Sequence, residues 1–501
     1  MNRDTIVKPG DASGRKGRRG SLHSRYNPRL EAERYVAALS LNGAARFFIL
    51  IEPGLGYLIG PLRKRAGNAK IVALHASALN ALRETMSPED SSGCDTADAE
   101  WYPESGIPVR DFLEKEIPDS GAAEIQILEW RPALAVYHEA YLNLVEEAAE
   151  FIKRADANAR TLKAFGRSWF RNFFRNLEII RSVLCPLQIP LPLLVTGAGP
   201  GLEDVIPRIQ EERGALFILA VSSSASALEA NGLVPDMLIA TDGGLWARYH
   251  LYDSCRGAQR ARKSGALPCP LAAAMTASLP SQCASLPFLP LCDGSLWQTL
   301  ILRELNIPFI VTPQRGTVSA AALDLAFVLS EREIGIAGID LANRDLRSHA
   351  RPYSLDRFLE EKDRRVNPFY SQTYRRSSML KAGGSYGIYA SWFEKQLAAY
   401  PKRLCSLGKN NPLFSSLESV SFGTGQSDGA QVQYKIMTLE HRGSPSQRAL
   451  VILEKALCNP YLSAKLEEEL GALFFSGRAV PPPQGELIEE LYTLGTISQD
   501  G

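Results

Sequence analysis

A glycine-rich turn after a short apolar run is the part of this sequence best suited to holding a phosphate. Leu191–Val195 is apolar, and residues 196–201, TGAGPG, lead into a helix-like segment. Glycines let the backbone approach a phosphate closely, and the N–H groups that begin a helix point towards an anion. We therefore predict a nucleotide or nucleotide-sugar site in the middle of the chain, formed by Gly197, Gly199, Pro200, Gly201 and Leu202.

The spacing of these glycines separates the turn from two common nucleotide-binding motifs. A dinucleotide fingerprint has its third glycine one residue later, and a P-loop continues into Gly-Lys-Ser/Thr, neither of which is present here. A tight strand-to-helix turn without a ligand remains the alternative interpretation.

Polar residues follow several predicted strands of the same region. These strands are Leu193–Val195, Leu216–Val221, Met237–Ala240, Leu271–Met275, Phe309–Val311 and Ile334–Ala337. Strands that alternate with helices are typical of a doubly wound, mostly parallel sheet, which binds ligands at the carboxyl ends of its strands. We expect Ser222, Ser224, Asp242 and Asp340 to share one crevice with the glycine turn. The two serines would bond ribose or phosphate oxygens.

His349 is the predicted catalytic base, because an unperturbed histidine titrates near physiological pH. It lies in a polar loop with Arg344, Arg347 and Arg351, whose guanidinium groups suit phosphates or a sugar carboxylate. The alternatives are a surface histidine in a basic loop and, for Asp242, a simple Asx turn.

The composition is that of an ordinary globular protein. Of 501 residues, 45% are hydrophobic and 22% are charged, and the net charge of +1 favours neither nucleic acid nor an anionic membrane as a partner. The sequence contains no run of about 18 apolar residues, so it predicts no transmembrane segment. The eight cysteines show no C-x-x-C spacing, which argues against a zinc ribbon or a redox pair. We expect a cytoplasmic protein.

The order of these patterns predicts an α/β protein with five regions. Residues 1–22 form a basic, disordered tail, and residues 23–130 form a smaller N-terminal α/β, Rossmann-like domain. Residues 131–186 form a helical connector. Residues 187–400 form the central doubly wound, mostly parallel Rossmann-like sheet, and residues 401–501 form a mixed or helical C-terminal region.

The N-terminal unit begins with a strand–helix–strand pattern. The strand Arg46–Ile51 leads through a glycine turn to a helix and to a second strand, Ala69–Ala76. A ribose-binding site would have an acidic residue at the end of the second strand, but the chain has His75 and Ser77 there. We therefore assign these glycines to close packing of the helix on the strands.

The connector carries an aromatic stripe that we expect to be helix-packing core. The stripe comprises Phe165, Trp169, Phe173, Phe174 and Leu177. Basic residues lie on or near the same segment and are predicted to form a solvated face, with contact to an anion as the alternative. They are Lys163, Arg167, Arg171 and Arg175.

The central region resembles a known family. GAGPGLEDVIPRI at 197–209 and FILAVSSSASALEANGLVPDMLIATDGG at 217–244 are similar to the domain of unknown function 115, the MptE-like 6-hydroxymethylpterin diphosphokinase domain. The run 316–326 and the segment 334–341 with His349 look like its closing half. Ser24–Pro28, Gly54–Tyr57, Trp130–Pro132 and Phe165–Asn172 resemble bacterial motility-associated factor proteins, which are implicated in glycosylating flagellin.

The resemblance implies three alternatives for function. The first is a glycosyltransferase that moves a nonulosonic acid from a CMP-sugar to Ser or Thr of flagellin, with His349, Asp242 and Asp340 as catalytic residues and Thr317 among the phosphate-binding residues. The second is a diphosphokinase that uses ATP, with Mg²⁺ held by Asp242 and Asp340. The third is a nucleotide-sugar-binding protein without catalysis, because the chain departs from its relatives at Ala198 and Gly201.

Overall fold

Strands form in this chain where the sequence carries short, continuous apolar runs, as expected for parallel strands covered on both faces. The computed structural model describes residues 22–496 except 25, 79–94, 118–123, 186–187, 264–266, 345–346, 373, 376–384, 401, 409–413, 415–416, 418–420, 424–431, 433, 441–442 and 476–481. The predicted basic tail, apart from Leu22, therefore lies outside the described residues. The chain divides into two compact units, Met1–Ala164 with Phe475–Pro481 and Phe165–Phe474 with Pro482–Gly501.

The first unit is built on a four-stranded parallel sheet in the order β3-β2-β1-β4. Its strands are β1 (Phe47–Ile51), β2 (Lys70–Leu74), β3 (Ala99–Trp101) and β4 (Ile125–Glu129). Its helices are α1 (Pro28–Ala38), α2 (Ile59–Ala66), α3 (Val109–Glu116) and the beginning of the 42-residue α4 (His138–Ile179). The predicted strand–helix–strand beginning of this unit is confirmed.

Glu52 ties together the loops at the carboxyl edge of the first sheet. It follows β1 with a φ of 47°, and it is fully buried. Its carboxylate accepts hydrogen bonds from the N–H groups of Gly54 at 3.1 Å, Ala76 at 2.6 Å and Ser77 at 3.0 Å. Burial by itself would raise the pKa of Glu52, but His75 and the N–H groups of Ser77 and Ala76 outweigh burial, and the pKa is lowered.

The second unit is built on a ten-stranded sheet. Its strands are β5 (Ser182–Leu184), β6 (Leu193–Thr196), β7 (Phe217–Val221), β8 (Met237–Ala240), β9 (Leu271–Ala274), β10 (Phe288–Cys292), β11 (Ile310–Val311), β12 (Ile334–Ala337), β13 (Leu404–Ser406) and β14 (Ile436–Thr438). They lie in the order β13-β12-β6-β7-β8-β9-β10-β5-β14, with β11 beside β10. Every pairing is parallel except that of β14 with β5.

Helices alternate with these strands and continue beyond them. They are α5 (Leu202–Glu212), α6 (Ala225–Ala230), α7 (Tyr252–Lys263), α8 (Leu296–Glu304), α9 (Val318–Leu329), α10 (Asp356–Glu361), α11 (Ser385–Ala399), α12 (Pro445–Leu457), α13 (Ser463–Phe475) and α14 (Gln484–Gly495). The alanine-rich α9 is mostly buried and packs on β6, β7 and β8. The predicted α/β class with a mostly parallel central sheet is confirmed.

All six strands predicted for the central sheet are present, but the sequence analysis missed several others. β10 contains Pro290, which lacks an N–H donor and argues against a strand, yet β10 pairs with β9 from Phe288 to Leu291. β13 and β14 are only three residues long and show no readable periodicity. These two strands extend the central sheet past residue 400, where the sequence predicted a separate C-terminal region.

Close packing of α13 on α4 requires a glycine at position 166. A Cβ atom at Gly166 would lie 2.6 Å from the carbonyl oxygen of Leu473. The next residue, Arg167, donates to the Phe474 carbonyl at 3.2 Å and pairs with Glu490 at 3.2 Å. Arg167 is therefore not simply solvated, as the sequence predicted, but holds two C-terminal helices.

Among the described residues, no helix combines the length and the apolar character required to cross a membrane.

Candidate functional site

The glycine turn of the second unit crosses the loop after β12 at backbone contact distance. β6 and β12 are parallel neighbours, with Thr196 opposite Ala337. The N–H of Gly197 donates to the Ala337 carbonyl at 2.8 Å, and that of Gly199 donates to the Gly338 carbonyl at 2.7 Å. A Cβ atom at Gly197 would lie 2.4 Å from the Gly338 carbonyl oxygen. The close contact between these two backbone segments by itself therefore requires glycines at these positions.

The carboxylate of Asp340 lies at the N-terminus of α5. It accepts a hydrogen bond from the N–H of Gly201, and a Cβ atom at Gly201 would lie 2.6 Å from its Oδ1. Burial raises the pKa of Asp340, although the Gly201 N–H and Arg344 oppose this shift. Asp340 thus occupies the position at which a phosphate would meet the first N–H groups of the helix.

Two of the arginines that we expected to bind a ligand are paired within the protein. Arg344 forms an ion pair with Asp204 at 2.5 Å and donates to the Pro200 carbonyl at 2.8 Å. Arg347 forms an ion pair with Glu203 at 2.9 Å. Both arginines fix the loop after β12 to the beginning of α5.

His349 lies beside the glycine turn. The N–H of the next residue, Ala350, donates to the Ala198 carbonyl at 2.7 Å. The His349 ring stacks on Tyr353 with centroids 4.0 Å apart and an interplanar angle of 11°, and its Nδ1 lies 2.8 Å from the Ser348 hydroxyl. The side chain is half-buried, so a bound substrate can reach the imidazole.

Tyr353 also connects His349 to the loop after β8. Its ring lies 5.3 Å from that of His250, whose Nδ1 is 2.6 Å from the Ser354 hydroxyl. Burial lowers the pKa of His250 to about 4, against the opposing effect of Asp242. At physiological pH His250 is therefore neutral. The Tyr353 ring is thus stacked on His349 and lies tilted by 39° against His250.

The two candidate metal ligands lie on different loops. Asp242 is exposed, and its Oδ1 accepts a hydrogen bond from the Gly244 N–H at 2.7 Å in an Asx turn. Three strand steps, about 14 Å at the usual strand spacing, separate β8 from β12, the strands that lead into the loops of Asp242 and Asp340. Mg²⁺ binds oxygen ligands at about 2 Å, so one ion does not fit both carboxylates in this arrangement.

Within the described parts of the chain, no group of three or more His, Cys, Asp or Glu side chains is arranged to hold a metal ion. We therefore derive no step of a reaction through Mg²⁺.

The remaining predicted residues have structural partners. Ser222 and Ser224 form the turn after β7, and both are buried. The hydroxyl of Ser224 bonds that of Thr196 at 3.1 Å and donates to the Val221 carbonyl at 2.8 Å, so it ties β6 to β7. Thr317 is half-buried and immediately precedes α9.

Two asparagines that were not predicted as site residues bond the loops after β8 and β9. Asn172 of α4 donates to the Gly243 carbonyl at 3.1 Å and to the Thr276 carbonyl at 3.0 Å. Asn176, one turn further, donates to the Met275 and Ala277 carbonyls, both at 2.8 Å. The end of α4 thus fixes the loops after β8 and β9. The four-residue spacing of Asn172 and Asn176, on a helix face that otherwise carries aromatic residues, was the feature of the sequence that could have indicated this role.

Comparison with known families identifies this region. Residues 168–278 match the family model described as 6-hydroxymethylpterin diphosphokinase MptE-like. This segment is similar to an MptE-like domain. The MptE-like segment contains the glycine turn, both serines of the β7 turn, Asp242 and both asparagines of α4. Asp340 and His349 lie beyond its end.

Similar proteins are found in Treponema pallidum (strain Nichols), each described as an uncharacterized protein. One is 25% identical over 317 residues, which is 63% of this chain and 67% of that protein. Another is 28% identical over 116 residues, which is 23% of this chain and 54% of that protein. The solved structure of MAf glycosyltransferase from Magnetospirillum magneticum AMB-1 is similar with a TM-score of 0.48 and 12% identity, over 94% of this chain and 82% of that one.

Proposed function

We propose that the second unit is a glycosyltransferase-like enzyme that moves a sugar from a nucleotide-activated donor to a hydroxyl group. The donor we propose is a CMP-linked nonulosonic acid, and the acceptor is a Ser or Thr of flagellin. The match to an MptE-like domain supports an enzyme that handles an activated phosphate compound. The short segments that resemble motility-associated factor proteins support this donor and acceptor.

The observation that carries the proposal is the position of His349. Its loop is held against the glycine turn by the hydrogen bond from Ala350 to Ala198, and its ring is oriented by Tyr353. A general base must lie within reach of the hydroxyl that it deprotonates and beside the group that leaves. His349 is a histidine that combines this position with partial exposure.

The proposed reaction is a direct displacement at the sugar. The acceptor hydroxyl oxygen attacks the anomeric carbon, and the bond from that carbon to the phosphate oxygen breaks. The imidazole of His349 takes the hydroxyl proton, and the nucleotide leaves with the electron pair of the broken bond. Tyr353 holds the imidazole in place, and neutral His250 contacts the Tyr353 ring.

The experiment is an intact-mass assay of flagellin after incubation with the purified full chain and a CMP-nonulosonate. We expect a mass increase of one sugar for each modified site. His349→Ala should lower the rate at least about a hundredfold, because general acid–base catalysis typically contributes that much. His138→Ala, which changes an exposed histidine at the beginning of α4, is the matched control and should leave the rate unchanged. An unmodified flagellin with both wild type and His349→Ala contradicts the proposal.

Diphosphokinase activity is the second candidate, and the description of the matched family model favours it. That reaction would transfer a diphosphate from ATP to a hydroxymethylpterin and release AMP. The separation of Asp242 from Asp340 does not favour it, because the two carboxylates do not form one magnesium site. AMP release that depends on the pterin, with no transfer to flagellin, would replace the transferase proposal. Binding of CMP without either reaction would indicate a nucleotide-sugar-binding protein.

A further inference from the structure

Two arginines of the second unit lie on elements that adjoin the loops after β8 and β9, and the charge of one affects the other. Arg175 is on α4, between Asn172 and Asn176, whose amides bond both loops. Arg248 lies in the 3-10 turn Leu245–His250, which begins directly after the turn of Asp242. The asparagines therefore fix the helix that carries Arg175 against the loop that leads to Arg248.

Neither arginine is neutralised by the protein. Among the described residues, no carboxylate forms an ion pair or hydrogen bond with Arg175 or Arg248, and the Nε of Arg248 is buried without a hydrogen-bond partner. Burial lowers the pKa of Arg175, and the positive charge of Arg248 lowers it further. Two guanidinium groups brought together in a half-buried place repel each other, and an unbonded buried donor adds to the cost.

Arg175 and Arg248 differ from several other arginines of the second unit, which have a carboxylate partner. Arg344 and Arg347 each have a carboxylate partner on α5, and Arg167 is paired with Glu490. Asp242, in the loop that leads to the turn of Arg248, bonds the Gly244 N–H instead. Arg175 and Arg248 thus form no ion pair with a carboxylate of the described residues, in contrast to the glycine turn, where Asp340 already supplies a carboxylate.

We propose that Arg175 and Arg248 form an oxyanion-binding subsite for the nucleotide-activated donor of the proposed reaction. Guanidinium groups bind phosphate and carboxylate oxygens with paired hydrogen bonds, and a bound oxyanion removes the repulsion between the two arginines. The inference rests on the proposed function and names the place where the charged part of the donor binds. That place lies beside the loops after β8 and β9. At the glycine turn, the carboxylate of Asp340 already occupies the position of an anion.

The test uses the full chain with Arg175→Gln and Arg248→Gln, and Arg171→Gln as the matched control. Arg171 is exposed on the same helix, one turn before Arg175. Calorimetry measures the affinity for CMP, for cytidine and for N-acetylneuraminic acid. Thermal unfolding is measured with and without inorganic phosphate. CMP carries a phosphate and no carboxylate, and the free sugar carries a carboxylate and no phosphate, so the two ligands identify which oxyanion is bound.

We expect each of the two arginine variants to bind one of these oxyanion ligands about tenfold more weakly, because a charge-assisted hydrogen bond is lost. Cytidine should bind equally to all four proteins. Phosphate should raise the melting temperature of wild type and of Arg171→Gln, but not of Arg175→Gln or Arg248→Gln. Without anion, Arg175→Gln should unfold at the same temperature as wild type or a higher one, because one of two like charges is removed.

Two results would overturn the inference. One is a phosphate response and a CMP affinity that are the same in wild type and in both variants, since the arginines would then have no role in binding. The other is a lower melting temperature for both variants with the phosphate response retained, which indicates a structural role. If wild type binds no cytidine compound but the phosphate response is lost in both variants, the proposed function fails and the oxyanion site stands.

Discussion

The carboxylate of Asp340 accepts the N–H of Gly201 and so caps α5 at the end of the glycine turn. In the first unit, Glu52 plays a corresponding part, because its carboxylate accepts the N–H groups of Gly54 and Ser77 at the carboxyl edge of the smaller sheet. Each unit therefore satisfies the N–H groups of its own glycine turn with an internal carboxylate. The pKa is raised at Asp340 and lowered at Glu52, so the two residues respond to pH in opposite directions.

Asp340 should make the stability of the protein fall as pH rises. A carboxyl group whose pKa is raised in the folded state binds its proton more tightly there than in the unfolded chain. Its contribution is complete below the ordinary pKa of 3.8 and is lost as pH rises through the folded value. Asp340→Asn is neutral throughout, so the stability of wild type relative to this variant should decrease from pH 4 to pH 7. Urea unfolding at several pH values measures this, and an increase with pH would contradict it.

Glu52 should show the opposite dependence. Its pKa is lowered in the folded state, so its contribution is present above the ordinary pKa of 4.5 and is lost as pH falls through the folded value. Glu52→Ala leaves buried N–H groups without an acceptor and should destabilise the first unit by about 2–4 kcal/mol at pH 7. Glu33→Gln, on the exposed face of α1, is the control. Equal stability of Glu52→Ala and wild type in chemical unfolding would be inconsistent with this role.

Tyr353 should act by positioning His349. Tyr353→Phe keeps the stacked ring, and Tyr353→Leu removes it. We expect the phenylalanine variant to retain the rate of sugar transfer and the leucine variant to lose about tenfold in kcat, since misplacement of a catalytic group by about 1 Å is costly. The KM for the donor should change little. A leucine variant with normal kcat, or one with only a raised KM, would show that the stack does not orient the imidazole.

Gly166 should tolerate no side chain. Gly166→Ala would bring a Cβ to 2.6 Å from the Leu473 carbonyl oxygen, and backbone atoms cannot yield as a flexible side chain can. We expect a loss of about 1–3 kcal/mol in the free energy of unfolding. Gly257→Ala on α7 is the matched control, because no atom lies within 4 Å of its added Cβ, and it should stabilise by about 0.5–1 kcal/mol. The same sign for both substitutions would refute the close-packing argument.

The apolar runs and glycine turns of the sequence were sufficient to predict both α/β units and the six main strands of the central sheet. They were sufficient because a buried parallel strand needs a short apolar run and a strand-to-helix turn needs glycine, and both requirements are local. The same patterns did not predict β10, which contains Pro290, or β13 and β14, which are held mainly by their neighbours in the sheet.

Only the tertiary structure decided which partner each polar side chain takes. The residue types suggested that the arginines near His349 bind a ligand, but Arg344 and Arg347 are paired with α5. Arg175 and Arg248, on other elements, form no ion pair with a carboxylate of the described residues. Charge pairing depends on contacts between residues far apart in the chain, which spacing along the sequence does not reveal. For the same reason, Asp340 could be expected beside the glycine turn from the sequence, whereas its hydrogen bond with the Gly201 N–H became visible only in the fold.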